Sequence, residues 1–458
     1  MPERPPPSAA SLTWRLSEAA PLAPAADVLL RQRLAALSSI GFLLGYYCMH
    51  NQWVQLTWVG IMTLAWFWEG GFQDFIDSLR LDRWMVTMAA VSLLMLARSS
   101  VIDSLGITVN AFWLGWLGTG TLMLVLMTLW SVARQPRAPL WLGVPLVGVA
   151  TLTATGSMLV FYVLDPKALF GQRLQNWFIY GGWNTVCTGL TFGFAAVWSS
   201  WNWCHSSERR ERWLWLIGAV VLMFATLLTM SRGALLALVA AHGVWLLALG
   251  WRRSRKAMFL MVGCVLLFQA SAPIIAHIGA KELSDMMGVP TSAITPEILG
   301  DGIVAANPAA RLLDRADNGR IIIYTAGLQS LTTWQDWVLG KGLWADNDCW
   351  SCSLPWYPEH LHSIFMTALV RGGLPGLAGL LLLIGWGFRR AWSLAREGEA
   401  LWLVLASFGV FGLLFDGDSA FSMLTIPRFE ALILWVPLVI ASARHVAAND
   451  FAKTSFER

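Results

Sequence analysis

Stretches of about 20 mostly apolar residues recur from Leu34 almost to the C-terminus of this chain, and each has the length an α-helix needs to cross roughly 30 Å of hydrocarbon. That repetition removes most soluble architectures. A β-barrel is excluded as well, because its strands are shorter and alternate in polarity residue by residue. Composition agrees: 56% of the 458 residues are hydrophobic and 13% are charged, against roughly 25% charge in a soluble domain. The fold class is therefore an all-α polytopic membrane protein.

Apolar spans bounded by charge or Pro predict about twelve helices, near 34–50, 54–67, 84–96, 107–132, 140–164, 177–203, 213–230, 234–251, 257–278, 364–387, 401–414 and 431–443. The distribution of Lys and Arg tests this alternation independently, since cytoplasmic loops collect them. With the N-terminus inside, 21 of the 32 basic residues fall in inside segments. The long hydrophilic segment 279–363 falls outside. The expected organisation is a disordered cytoplasmic tail (1–33), transmembrane helices one to nine (34–278), an outer loop domain (279–363), three last helices (364–445) and a cytoplasmic tail (446–458). The Pro-rich first 30 residues lack an apolar run followed by a small-residue cleavage site, so no secretory signal is expected.

A net charge of +4, spread over short loops rather than gathered in one stripe, gives no footprint for nucleic acid. Six Cys are too scattered for a disulfide framework. Cys48, Cys187, Cys204 and Cys264 read as packing residues. Cys349 and Cys352, on the oxidising side, read as a local disulfide, with a zinc site completed by His360 and His362 as the alternative.

Chemistry-bearing residues gather on the outer side. Arg232 sits between two apolar spans, where an arginine costs about 2.5–3.5 kcal/mol at the bilayer centre on insertion scales and usually faces a cavity; it either binds an anion or snorkels to headgroups. Arg311, Arg315 and Arg320 precede or begin an amphipathic helix expected over 321–331 with Asn318 as its N-cap. Guanidinium forks match phosphate oxygens and helix N-termini favour anions, so this pattern suits a diphosphate. Asp314 and Asp317 can neutralise Arg311 and Arg315, whereas Arg320 has no carboxylate at i+3 or i+4. His360 and His362 close the loop beside Glu359 and can supply a general base; a metal site or headgroup contact is the alternative. On a helix, residues two apart diverge by about 200°, so only one of the pair is expected to face a site. Asp346-Asn347-Asp348 has the form of a DxD metal motif, and turns use the same residues. Arg98, Arg173, Asp416, Asp418, Arg428 and Glu430 are expected to form ion pairs within the bundle.

Ser231-Arg232-Gly233 at a helix head, Asn318-Gly319-Arg320 before an outer helix, and His362-Ser363 with Gly372-Gly373-Leu374 beyond resemble the lipopolysaccharide O-antigen ligase and polymerase superfamily, over about 213–440. The resemblance implies a type C glycosyltransferase-like fold in the bacterial inner membrane with its site facing the periplasm. It also implies metal-independent, cofactor-free, inverting transfer of a glycan from undecaprenyl diphosphate to a sugar hydroxyl of lipid A-core. Arg232 and Arg320 would then hold the diphosphate and His362 would activate the acceptor. The family more often has Asn after this histidine, where Ser363 stands here, and which of His360 and His362 is the base stays open. An O-antigen polymerase or a protein O-oligosaccharyltransferase uses the same donor. An anion or lipid-linked sugar transporter is the reading from another class, and it calls for internal repeats and broken midplane helices that the sequence does not display.

Overall fold

The computed structural model describes residues 26–49, 51–102, 109–135, 138–164, 170–179, 184–290, 319–342, 360–418, 420–421 and 429–456. Helices follow in the order α1 (Ala26–Cys48), α2 (Gln52–Trp66), α3 (Phe72–Leu81), α4 (Arg83–Ile102), α5 (Val109–Ala133), α6 (Ala138–Leu159), α7 (Thr185–His205) and α8 (Arg209–Leu228). They continue as α9 (Arg232–Leu249), α10 (Trp251–Met287), α11 (Arg320–Gln329), α12 (Trp334–Leu339), α13 (Ile364–Arg396), α14 (Leu401–Leu413) and α15 (Val436–Phe456). No β-strand occurs among the described residues.

Each apolar span read from the sequence overlaps a helix, and eight helices among the described residues are long and apolar enough to cross a membrane. The other four spans fall on the 15-residue α2, on the shorter apolar helices Arg83–Ala97 and Leu401–Leu413, and on α7, which is long enough but rich in Ser, Thr and Gly. Helix ends differ from expectation because charge ends a membrane crossing without ending a helix. Thus α1 starts at Ala26, inside the expected N-terminal tail, and α15 runs to Phe456, through most of the expected C-terminal one. Likewise α10 continues to Met287, beyond the expected loop boundary at 279. Its 37 residues span about 56 Å at 1.5 Å per residue, far more than the hydrocarbon needs. In the other direction α7 begins only at Thr185, where the Asn184 side chain accepts from the Val186 and Cys187 amides, so Trp177 precedes it.

The core is organised around α7, whose residues from Thr188 to Trp201 are all buried among α6, α8, α9 and α14. Its hydroxyls are satisfied by main-chain carbonyls: Ser200 donates to Ala196 at 2.8 Å and Ser199 to Trp215 at 2.7 Å. Without water, a polar side chain in such a place must find a partner of this kind.

The end of the bundle remote from the start of α13 is fastened by Asp82, which is fully buried. This carboxylate caps α4 through the Trp84 amide at 2.9 Å and accepts from the Trp130 indole of α5 at 2.8 Å. It also takes Ser442 of α15 and pairs with Arg390 of α13. Four helices therefore converge on one acid. Arg390, read from sequence only as a topology signal, is here the counter-charge of that acid. Asp82→Ala leaves the guanidinium without its partner and is expected to cost about 3–5 kcal/mol, seen as a large drop in the unfolding temperature of the detergent-purified protein. Arg390→Met in the same background is expected to recover much of that drop, because the orphaned charge goes with it.

Candidate active site

Four chain segments meet at the end of the bundle where α13 begins, and the break in α13 explains how. Pro375 lies inside this helix and has no N–H to give the carbonyl of Arg371 four residues earlier. Gly373 (φ 61) turns the backbone left-handed at the same place, a conformation open to glycine at little cost. The released carbonyls are taken up by the segment after α12: the Lys341 amide donates to Val370 at 2.7 Å and the Gly342 amide to Arg371 at 2.9 Å. Gly340 passes so close that a Cβ there would stand 2.4 Å from the Gly373 nitrogen. The Arg371 side chain, buried at 7% exposure, lies 2.9 Å from Asp418 in the connection after α14, and the Asp418 amide donates to Glu430 at 2.6 Å.

This connection carries Asp416, 3% exposed, to the histidines. His362 Nδ1 lies 3.3 Å from Asp416 Oδ1. The His362 backbone is left-handed (φ 50), a strained state for a side chain with a Cβ, of the kind that clusters at functional sites. Both its backbone groups are held, the amide by His360 Nδ1 at 3.1 Å and the carbonyl by the Tyr324 hydroxyl at 3.2 Å. The histidines precede α13 rather than lying on a helix, so the expected 200° divergence does not arise. Their ring centroids are instead 4.1 Å apart, and the sequence reading is corrected on this point.

Burial by itself would raise Asp416, yet the hydrogen bond from His362, the nearby His360 and His362 charges and the Gly417 amide outweigh it and hold the carboxyl below its ordinary value. With Nδ1 directed at Asp416, the hydrogen bond assigns the proton of neutral His362 to Nδ1 and leaves the Nε2 lone pair for another partner. His360, His362 and Asp416 also present ligand atoms within 4.8 Å of one another, a donor set of two imidazoles and one carboxylate that a divalent transition metal can use.

Arg232 and Arg320 occupy equivalent positions. Each is the first residue of its helix, α9 or α11, where the backbone dipole is already positive and a guanidinium adds to it. An anion offsets that repulsion. At α9, Ser231 caps the helix by accepting from the Ala234 amide at 3.4 Å, and Gly233 packs against the Gly412 carbonyl near the end of α14. Four residues after Gly412 comes Asp416, and Gly417 lies against Ile364 at the start of α13, so Arg232 and His362 share one end of the bundle. At α11, Arg320 is one turn before Tyr324, whose hydroxyl holds His362. The residue before α11 is Gly319 (φ 72), with no side-chain cap; Asn318, the expected N-cap, lies outside the described residues.

Arg173 joins this group. Its Nε donates to the Thr229 carbonyl at 2.8 Å, which fixes it beside the turn that leads into Arg232. Sequence reading placed Arg173 and Asp416 among ordinary ion pairs and did not single out Tyr324. Rule of thumb alone, that an ionisable residue near the end of a membrane span is a functional candidate, would have raised the first two. Arg311, Arg315, Asp346, Asp348, Cys349, Cys352 and Arg428 lie outside the described residues.

Residues 217–381 match the family model described as O-antigen ligase. The chain carries an O-antigen ligase family domain. The matched stretch runs from α8 into α13 and takes in Arg232, Arg320, His360 and His362, whereas Arg173 and Asp416 lie outside it. This match agrees with a multi-pass helical membrane protein. No curated protein matches the chain.

Because the folded carboxyl of Asp416 is held below its ordinary value, its contribution to stability is present above the unfolded value and lost as pH falls through the folded one. Thermal unfolding followed downward from pH 7 is expected to show a steeper loss below about pH 4 in the native protein than in Asp416→Asn. Equal slopes would dissociate Asp416 from the histidines.

Proposed function

We propose that this protein is an O-antigen ligase that transfers a glycan from undecaprenyl diphosphate to a sugar hydroxyl of lipid A-core, at the periplasmic face of the bacterial inner membrane. The observation that carries this reading is the placement of two arginines at positive helix ends around a histidine backed by a buried aspartate. Arg232, Arg320 and Arg173 hold the diphosphate, with Arg311 and Arg315 as further candidates. His362 is the general base. Asp416 positions its imidazole through Nδ1, and His360 and Tyr324 position its backbone.

In the reaction, His362 Nε2 takes the proton of the acceptor hydroxyl as its oxygen attacks the anomeric carbon from the face opposite the diphosphate. The bond from that carbon to the diphosphate oxygen breaks, and the departing oxygen keeps the electron pair. Configuration at the anomeric carbon inverts. Fixed guanidinium groups stabilise the charge that develops on the leaving group, so the reaction as written needs no metal ion. The same three side chains that suit a base and its positioning residues suit a metal as well, and this is the observation behind a second reading.

His362→Ala is expected to lower the transfer rate at least 10²-fold, the usual share of a general base, and His360→Ala about tenfold, as for a positioning group. A reversed order would move the base to His360. EDTA treatment of the purified enzyme is expected to leave the rate unchanged; a loss restored by Zn²⁺ or Mn²⁺ would give the trio to metal chemistry. Deletion of the gene followed by lipopolysaccharide electrophoresis separates ligase from polymerase. Long polymer accumulating on undecaprenyl diphosphate is expected, whereas a core carrying a single repeat unit would identify a polymerase.

A further inference from the structure

At the end of α13 remote from His362 lies a cavity of about 340 Å³ lined by Trp386, Arg389, Arg390, Ser393 and His445. Along α13 it is some 35–40 Å from Ile364 at 1.5 Å per residue, too far to belong to the site around His362. Its size falls in the range of small-ligand sites. Its chemistry is that of an anion site: two guanidiniums, an imidazole, a hydroxyl and an indole.

The charges in this cavity are not equivalent. Arg390 is committed to Asp82 and Ser442, with its guanidinium 5.2 Å from the Trp386 ring centroid. It therefore forms a fixed wall. Arg444, nearby on α15, is paired with Glu399 at 2.6 Å and does not line the cavity. Arg389 is exposed and has no carboxylate partner among the described residues. Asp82 and Glu397 are the carboxylates whose charges reach His445; the first is taken by Arg390 and neither lines the cavity. The net field inside favours an anion.

The surroundings say how such an anion would arrive. Leu382, Trp386, Arg389 and Ser393 follow one another at intervals of three and four residues, one face of α13. Leu382, one turn further into the membrane, is 56% exposed. The face thus changes from aliphatic to aromatic to cationic to hydroxylic toward the helix end, the profile of a phospholipid from acyl chain to headgroup. The distribution of Lys and Arg assigns this end to the cytoplasmic leaflet, whose anionic lipids contribute about 1 kcal/mol per basic residue near the surface.

We propose that the cavity is a binding site for the headgroup phosphate of an anionic glycerophospholipid of the cytoplasmic leaflet, with Arg389 and His445 as its ligands, Arg390 as its fixed wall and an acyl chain lying along Leu382. Bound there, the lipid bridges α13 and α15, the helices that Asp82 ties together. Native mass spectrometry of the full-length protein in detergent, titrated with phosphatidylglycerol or phosphatidylethanolamine, tests this. Tighter binding of phosphatidylglycerol is expected, weakened about fivefold by Arg389→Ala, further by Arg389→Ala with His445→Ala, and kept by Arg389→Lys. These variants are expected to elute and to transfer glycan like the native protein, since neither residue belongs to the site around His362 or to the Asp82 network. Equal binding of the two lipids, or phosphatidylglycerol binding unaffected by the double substitution, overturns the proposal. Displacement of the lipid by millimolar inorganic phosphate alone would do the same, because the site would then serve a soluble anion.

Discussion

The missing hydrogen bond at Pro375 shapes the end of the bundle that holds His362. In a bilayer a backbone carbonyl without a donor costs several kcal/mol, so the break in α13 requires another chain segment to lie against it. The stretch around Gly340–Gly342 does so. The same break leaves Arg371 aimed at Asp418, and Asp418 fixes the connection from which Asp416 reaches His362. Remove the break, and neither the docked segment nor the acid behind the histidine has a reason to be where it is.

Electrostatics at this end run against the usual preference of helices for acidic first turns. Arg232 and Arg320 each begin a helix, and Arg173 is held at the entrance to the first of them. A guanidinium at such a helix start adds to the positive end of the backbone dipole, and an anion offsets that repulsion. The counterpart of this arrangement is the convergence of four helices on Asp82. At the other end Arg390 is thus closed on Asp82, while Arg389 beside it stands exposed.

How far this was legible in the sequence depended on the range of the interaction. Hydropathy located the eight helices that, among the described residues, are long and apolar enough to cross a membrane, because membrane crossing depends on local composition. Their ends moved because a helix such as α10 continues past its apolar span, where Glu282 accepts from the Phe170 amide. Arg232 stood out because arginine is disfavoured where it lies, and Arg320 because no carboxylate follows it at i+3 or i+4. The His362–Asp416 pair joins residues 54 apart, and nothing local names the partner. The relation of His360 to His362 was misread because helical angles were assumed for a residue whose φ is positive, and no side-chain pattern announces such a dihedral.

That dihedral sets a limit on how this protein can be improved. A left-handed backbone costs a residue with a Cβ roughly 1–2 kcal/mol, a penalty glycine escapes. The substitution at position 362 that best relieves the main chain is therefore one with no imidazole. Selection for robustness and selection for the side chain pull in opposite directions at a single torsion, and a library screened for heat resistance alone would be drawn toward erasing the histidine.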